Sequence, residues 1–251
     1  MPIWFQAGLW GFVAGSALLI GALIGYLAEV PRKIIASIMA FGSGVLISAL
    51  SFDLMDEAYM TGGFTFTAIG FLSGAILFSA ANYFLSKRGA KHRKRSNGDK
   101  QVSENEKPGS GMAIALGALL DGIPESIALG VSMIKGGVVG TAVIIAIFIS
   151  NLPEGLSSSA GMKKNGRSAR FIFGIWGGIA LISSISAIAG YSILSNYPPE
   201  AYAGVLAIAA GAILAMISDT MIPEAFEEAK DWMGLITVAG FLAAFLLTKM
   251  T

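Results

Sequence analysis

Two Pro–Glu motifs interrupt long apolar segments of this sequence. The first runs from Asp121 to Glu125 as DGIPE, and the second runs from Ser150 to Glu154 as SNLPE. In each motif the first and last side chains are four positions apart, which places them on one face of a helix. A proline inside a helix also leaves one backbone carbonyl without its usual N–H partner. Each segment therefore offers a side-chain oxygen, a free carbonyl oxygen and a carboxylate within one turn.

The oxygens of the two motifs predict a cation site. Carboxylates are costly in hydrocarbon, and those found in membrane spans usually mark ion or proton pathways. Two such helices packed together, with Gly122 and Gly155 allowing close approach, would line an oxygen-rich cavity suited to a divalent cation. The predicted metal ligands are Asp121, Glu125, Ser150, Asn151 and Glu154. A proton relay through the carboxylates and a purely structural role for the kinked helices are the alternatives.

The composition indicates a membrane protein. The chain is 55% hydrophobic and 13% charged, whereas soluble domains are about 25% charged. About 20 apolar residues are needed to cross a bilayer, and eight such spans are predicted at about 4–28, 34–55, 64–86, 110–134, 138–161, 169–195, 201–221 and 232–250. We therefore expect an all-α integral membrane protein in contact with lipid, with one transmembrane domain over residues 1–251 and no cleaved signal peptide. The lack of cysteine excludes disulfides and thiolate ligands.

The distribution of basic residues predicts the orientation. Lysines and arginines follow predicted spans one, three and five, at 32–33, 87–107 and 163–170. By the positive-inside rule these connections are cytoplasmic, so both termini lie on the extracellular or periplasmic side. The polar segment at about 87–109 is expected to be a flexible cytoplasmic loop, in which His92 is solvated and the basic run acts as a topology signal. The compact connections fit a prokaryotic plasma membrane.

Further acids close predicted spans two and seven. The stretch DLMDEAY begins at Asp53 and DTMIPEAF begins at Asp219, and each follows a long apolar run. These spans are second from either end, which suggests a 3+2+3 arrangement with an inverted repeat of helices 1–3 and 6–8. The acids at the two mouths are candidate pathway residues: Asp53, Asp56, Glu57, Asp219 and Glu224.

Eight spans, outside termini, a polar loop after span three and the two Pro–Glu motifs resemble the ZIP (Zrt/Irt-like protein) family of divalent-metal transporters, in its prokaryotic form. The resemblance implies transport of zinc or a related metal ion through a binuclear site, with no resident cofactor. Asp121 and Ser150 stand where the family has histidines, and Ser184 is a candidate where many members have a span-six glutamate. An all-oxygen site of this kind suits Mn, Fe(II) or Mg better than the histidine site.

Other classes of function fit the sequence less well. An enzyme is not expected, because a His-Glu-x-x-His zinc protease needs two histidines and the chain has one. The Gly-x-Gly-Asp pattern of intramembrane aspartyl proteases and the phosphate-binding loop of ATPases are also missing. A metal-binding sensor or a degenerate transporter remains as an alternative. No nucleic-acid partner is expected, and the small-residue face at 177–184 suits either packing within the bundle or a homodimer.

Overall fold

The computed structural model describes residues 1–94, 101, 103, 105–134 and 141–250. All regular elements in these ranges are helical. The α-helices are α1 (Ile3–Leu27), α2 (Arg32–Ala49), α3 (Met55–Leu85), α4 (Ser110–Ser132), α5 (Thr141–Lys164), α6 (Ala169–Leu194), α7 (Pro199–Met216), α8 (Ile222–Ala229) and α9 (Met233–Met250). Wider π-helical turns join several of them, at Leu50–Leu54, Ser86–Ala90 and Ile217–Met221.

Seven helical stretches in the described ranges are long and apolar enough to cross a membrane. Many large apolar side chains on these helices are exposed, as lipid-facing side chains would be. The chain is therefore a multi-pass helical membrane protein. The longest stretch, Arg32–Ala90, has 59 residues, although about 20 residues are enough to cross once.

A backbone break divides this longest stretch. Gly63 has φ 70° and ψ 178°, a conformation that glycine adopts readily and other residues rarely do. Side chains from both sides of the break, among them Met55, Tyr59, Phe64 and Thr67, line one pocket of about 470 Å³. The helical segments before and after Gly63 therefore face each other across this pocket, and Gly63 lies between the predicted second and third spans.

Close contacts made by glycines determine which helices pack together. A Cβ atom added to Gly155 would lie 2.1 Å from the carbonyl oxygen of Leu18, so this glycine brings α5 against α1. At Gly122 the nearest atoms would be side-chain atoms of Ile179 and Ser183 in α6, at 3.8 and 3.9 Å. The expectation that these two glycines bring the motif helices against each other is therefore wrong.

The two motif helices are held mainly by other partners. Helix α5 packs chiefly on α1 and α2, whereas α4 packs chiefly on α6 and α7. Both helices continue through their prolines, Pro124 and Pro153. This arrangement leaves a gap between the polar faces of α4 and α5, and side chains from the segment after α3 fill it.

Candidate cation site

The five predicted ligands are all buried inside the helix bundle. Their exposed fractions are at most 5%. The three carboxylates among them, Asp121 and Glu125 on α4 and Glu154 on α5, are the groups for which burial in a membrane is most costly. Such charges persist in a low-dielectric interior only when they are paired or hydrogen-bonded. The groups that compensate the charge of these carboxylates are therefore part of the site.

Arg93 compensates Asp121. Its Nε and one terminal nitrogen donate to the two carboxylate oxygens at 3.0 and 2.8 Å. The other terminal nitrogen donates to Oδ1 of Asn82 at 2.8 Å. Both charged side chains are only 3% exposed. A two-pronged, charge-assisted pair of this kind is among the stronger polar contacts in proteins, and it fixes the orientation of both groups.

Lys94 joins the two motifs. Its Nζ lies 2.8 Å from Oε2 of Glu154 on α5 and 3.3 Å from Oδ2 of Asp121 on α4. Burial opposes the charged form of the lysine, but the two carboxylates outweigh it and hold the pKa of Lys94 above its usual value. The side chain is therefore an ammonium at neutral pH. A positive charge thus lies between two of the predicted ligands.

The turn that carries these cations is fixed to α5. The Ser157 hydroxyl donates to the carbonyl of Lys94. The Gln101 amide donates to the carbonyls of Arg93 and Ser158, each at 3.3 Å. Arg93, Lys94 and Gln101 are buried, so the expectation of a solvated, flexible loop is wrong for them. Residues 95–100, 102 and 104 of the same predicted loop lie outside the described residues.

The other predicted ligands have different surroundings. The Ser150 hydroxyl donates to the carbonyl of Ile147 at 2.9 Å, and the Asn151 amide donates to that of Ala14 in α1 at 3.1 Å. Glu125 forms no hydrogen bond or ion pair with the part of the chain that the structure describes. In that same part, no three His, Cys, Asp or Glu side chains converge closely enough to hold a metal ion. The acids of this site are arranged around the cations of the chain itself.

Two of the pathway candidates adjoin the site. Asp219 and Glu224 line a small cavity of about 30 Å³ together with the turn from Lys91 to Lys94. His92, which was expected to be solvated, is half-buried and lines the same cavity. The acids that end the predicted seventh span therefore lie beside the cationic turn.

The remaining pathway candidates lie elsewhere. Asp53 accepts a hydrogen bond from the Thr248 hydroxyl of α9 at 3.2 Å. Asp56 is exposed and lines the pocket beside Gly63, and Glu57 is half-buried. The Ser184 hydroxyl donates to the carbonyl of Gly8 in α1 at 2.8 Å. The structure does not bring these four groups to the cation site.

Sequence reasoning missed Arg93 and Lys94, although the excess of acids over bases within the predicted spans was a signal for them. Gly117 lies one turn before Asp121, and a Cβ atom there would be 2.5 Å from Cδ of Arg93. A small residue on the polar face of α4 thus makes room for the guanidinium stem. The predicted spans also contain several acids and almost no basic residues, so their counter-charges have to come from the connections.

Comparison with known proteins gives a partial match. No protein-family model matches the chain. The chain is similar to "Zinc transporter ZTP29" from Arabidopsis thaliana, with 30% identity over 141 residues. The match covers 51% of this chain and 51% of the relative, so the chain spans about half the length of the curated relative it matches. The similarity links the chain distantly to a protein named for zinc transport.

Proposed function

We propose that this protein moves divalent metal cations across a membrane through the site between α4 and α5. One observation carries the proposal: Asp121 and Glu154, on different helices, already hold a single cationic atom between them, the Nζ of Lys94. Carboxylate oxygens arranged in this way are ligands for divalent ions as well as for an ammonium. The similarity to a zinc transporter supports the same class of substrate.

The chemistry of the ligands narrows the choice of metal. The motif residues supply only oxygen donors, with Ser150 and Asn151 available beside the three carboxylates. Zinc is consistent with the name of the relative and with carboxylate coordination. Mn²⁺ and Mg²⁺ prefer sites made of oxygen ligands alone to sites rich in nitrogen ligands. We therefore propose a broad divalent selectivity that includes zinc, manganese and Fe(II).

We also propose that the chain crosses the membrane eight times in the 3+2+3 order. The stretch Arg32–Ala90 would cross twice, reversing at Gly63. The direction of the helices supports this. The part of α3 after Gly63 lies parallel to α7, with Gly70 beside Gly204 and Phe71 beside Gly211, and α2 lies parallel to α9. Both termini would then lie outside and the Lys91–Lys94 turn on the cytoplasmic side.

A second function is favoured by one observation, the ammonium of Lys94 within the site. A carrier whose site keeps its own cation permanently would bind metal weakly and move none. The protein would then be a metal-binding sensor or a degenerate transporter. Flux measurements separate this reading from transport, because a sensor binds ions without moving them.

Uptake into proteoliposomes tests the proposal. We expect saturable uptake of at least one ion among Zn²⁺, Mn²⁺, Fe²⁺, Co²⁺, Cd²⁺ and Mg²⁺. Glu154→Gln and Glu125→Gln keep the shape of the side chain and remove its charge. Loss of a residue that merely supports a metal ligand already costs about 10-fold to 100-fold in affinity or activity, so loss of a carboxylate ligand should lower uptake at least about 10-fold. Glu29→Gln, at an exposed position before α2, is the matched control and should transport normally.

Two results would count against transport through this site. Uptake that survives in both carboxylate variants would place the pathway elsewhere. Binding of a metal without flux of any ion, by protein that elutes as one species in detergent, would favour the sensor or degenerate transporter.

A further inference from the structure

We propose that the Lys94 side chain is a tethered plug: its ammonium occupies the cation position of the resting protein, and a divalent ion enters by displacing it. This inference rests on the proposed function and deepens it. It assigns Lys94 as a competitor of the substrate, so that the affinity for metal depends on how readily this side chain leaves.

The charges of the site favour this exchange. Three buried carboxylates, Asp121, Glu125 and Glu154, face two buried cations, Arg93 and Lys94. A divalent ion at the position of the Lys94 ammonium brings twice the positive charge to the carboxylates of Asp121 and Glu154, and it lies closer to their oxygens. Because Coulomb attraction grows with charge and falls with distance, a divalent ion is attracted more strongly than the ammonium, whereas a monovalent ion brings no additional charge.

The two cations are held differently, which makes Lys94 the exchangeable one. Arg93 forms aligned hydrogen bonds to both oxygens of Asp121 and a third to Asn82. Lys94 forms ion pairs, and a lysine acts on carboxylates as a point charge without the fixed fork of arginine. Its longer contact, 3.3 Å to Asp121, gives a smaller attraction than the guanidinium contacts. Displacement of Lys94 therefore leaves the Arg93–Asp121 pair in place.

The position between Asp121 and Glu154 cannot hold the Lys94 ammonium and a metal ion at the same time. Metal–oxygen bonds are about 2.0–2.6 Å long, so an ion held by Asp121 and Glu154 would draw them closer together than the ammonium does. The Lys94 amine would then overlap the ion. The neighbouring cavity beside Asp219 and Glu224 is only about 30 Å³, which holds about one water molecule. A metal ion therefore enters this position only when the Lys94 side chain leaves it.

The Lys94 side chain can leave while its backbone stays in place. The Lys94 carbonyl accepts from the Ser157 hydroxyl, the Arg93 carbonyl accepts from the Gln101 amide, and the Arg93 side chain stays paired with Asp121. Among the described residues, the ammonium itself contacts only the two carboxylates, so it is a competing group tethered by its own side chain. A tether keeps a competing group at an effective concentration of about millimolar. The plug would therefore return whenever the ion leaves.

Metal binding to single-site variants tests the inference. We would titrate Zn²⁺ and Mn²⁺ into detergent-solubilised protein by calorimetry. Lys94→Met removes the charge and keeps most of the length, and we expect it to bind at least about tenfold more tightly than the unmodified chain, since the affinity of a competent state is reduced by the fraction of protein that is plugged. Lys87→Met, at an exposed position on the same segment, loses the same charge and should leave the affinity unchanged.

The outcomes separate the plug from the proposed function. An unmodified protein that binds and transports metal, with a Lys94→Met variant that binds equally or less tightly, overturns the plug and leaves transport intact. A gain of affinity in Lys94→Met alone supports the plug. No binding by either protein overturns both.

A second variant keeps the positive charge at position 94, in case Lys94→Met does not fold. Lys94→Arg offers the two carboxylates the fixed fork of a guanidinium, which holds carboxylates more firmly than an ammonium does. We expect this variant to bind Mn²⁺ at least about threefold more weakly than the unmodified chain. Equal or tighter binding by Lys94→Arg, in protein that elutes as one species in detergent, would overturn the plug.

Discussion

The pair formed by Arg93 and Asp121 should be the strongest polar contact between the segment after α3 and the helix bundle. We consider Arg93→Met, which keeps an unbranched apolar stem beside Gly117 and removes the guanidinium. The variant loses two charge-assisted hydrogen bonds to Asp121, at 2.8 and 3.0 Å, each contributing about 1.5–3 kcal/mol. It also leaves a buried carboxylate with only the 3.3 Å contact to Lys94.

The magnitude follows from these contacts. Removing one partner of a buried ion pair costs about 3–5 kcal/mol, because the other charge stays buried. Lys94 still compensates part of the Asp121 charge, so we expect the lower end, about 3 kcal/mol. For a chain of this length each kcal/mol corresponds to about 2–4 °C in melting temperature. Arg93→Met should therefore lower the melting temperature by about 6–12 °C.

Thermal unfolding in detergent, followed by the fluorescence of the four tryptophans, measures this shift. Arg88→Met, at an exposed position five residues earlier, is the control and should change stability by less than about 0.5 kcal/mol. The double variant Arg93→Met/Asp121→Leu removes both members of the pair, so it leaves neither of these two charges behind, and Lys94 still contacts Glu154. The double variant should recover at least about 2 kcal/mol of the loss. Equal melting temperatures for Arg93→Met and Arg88→Met would refute the reasoning.

Two glycine substitutions test the packing and the reversal of the chain. Gly155→Ala places a Cβ atom 2.1 Å from the Leu18 carbonyl oxygen, and this clash can be relieved only if the backbones of α1 and α5 move apart. We expect it to lower the free energy of unfolding by at least about 1–3 kcal/mol, measured by thermal unfolding. Gly177→Ala, with no heavy atom within 4 Å of the new Cβ, should be neutral or stabilising by about 0.5–1 kcal/mol, and a loss at Gly177 equal to that at Gly155 would contradict the packing. Gly63→Ala forces alanine into φ 70° and ψ 178° and should cost about 1–3 kcal/mol; unchanged stability would show that this backbone conformation is not required.

The membrane character and the buried acids could be predicted because they depend on local properties of the sequence. Apolar runs of sufficient length predict membrane helices whatever their neighbours are. The motif residues from Asp121 to Glu154 lie in such runs, so their burial followed from the runs alone. The structure confirms a multi-pass helical membrane protein.

The partners of the acids could not be predicted in the same way. A basic run such as KHRK at 91–94 usually lies in solvent, and the positive-inside rule gives it a sufficient role as a topology signal. That Arg93 and Lys94 return into the bundle depends on the turn after Ser86–Ala90 and on the space at Gly117. These are properties of the packed structure. The helix that packs against Gly155 was missed for the same reason. A glycine allows another helix to approach closely, but it does not specify which helix that is.

The cost of placing carboxylates in a membrane connects these findings. The sequence predicts a metal ion between Asp121 and Glu154, and the structure places the charged side chains of Arg93 and Lys94 beside them. Both explanations meet one electrostatic requirement, since the carboxylates need positive charge in every state of the protein. A site that only waited for metal would leave them uncompensated when no ion is bound. A lysine that fills the position and can be displaced keeps them compensated in both states, and it makes the difference in charge between an ammonium and a divalent ion the driving force for exchange.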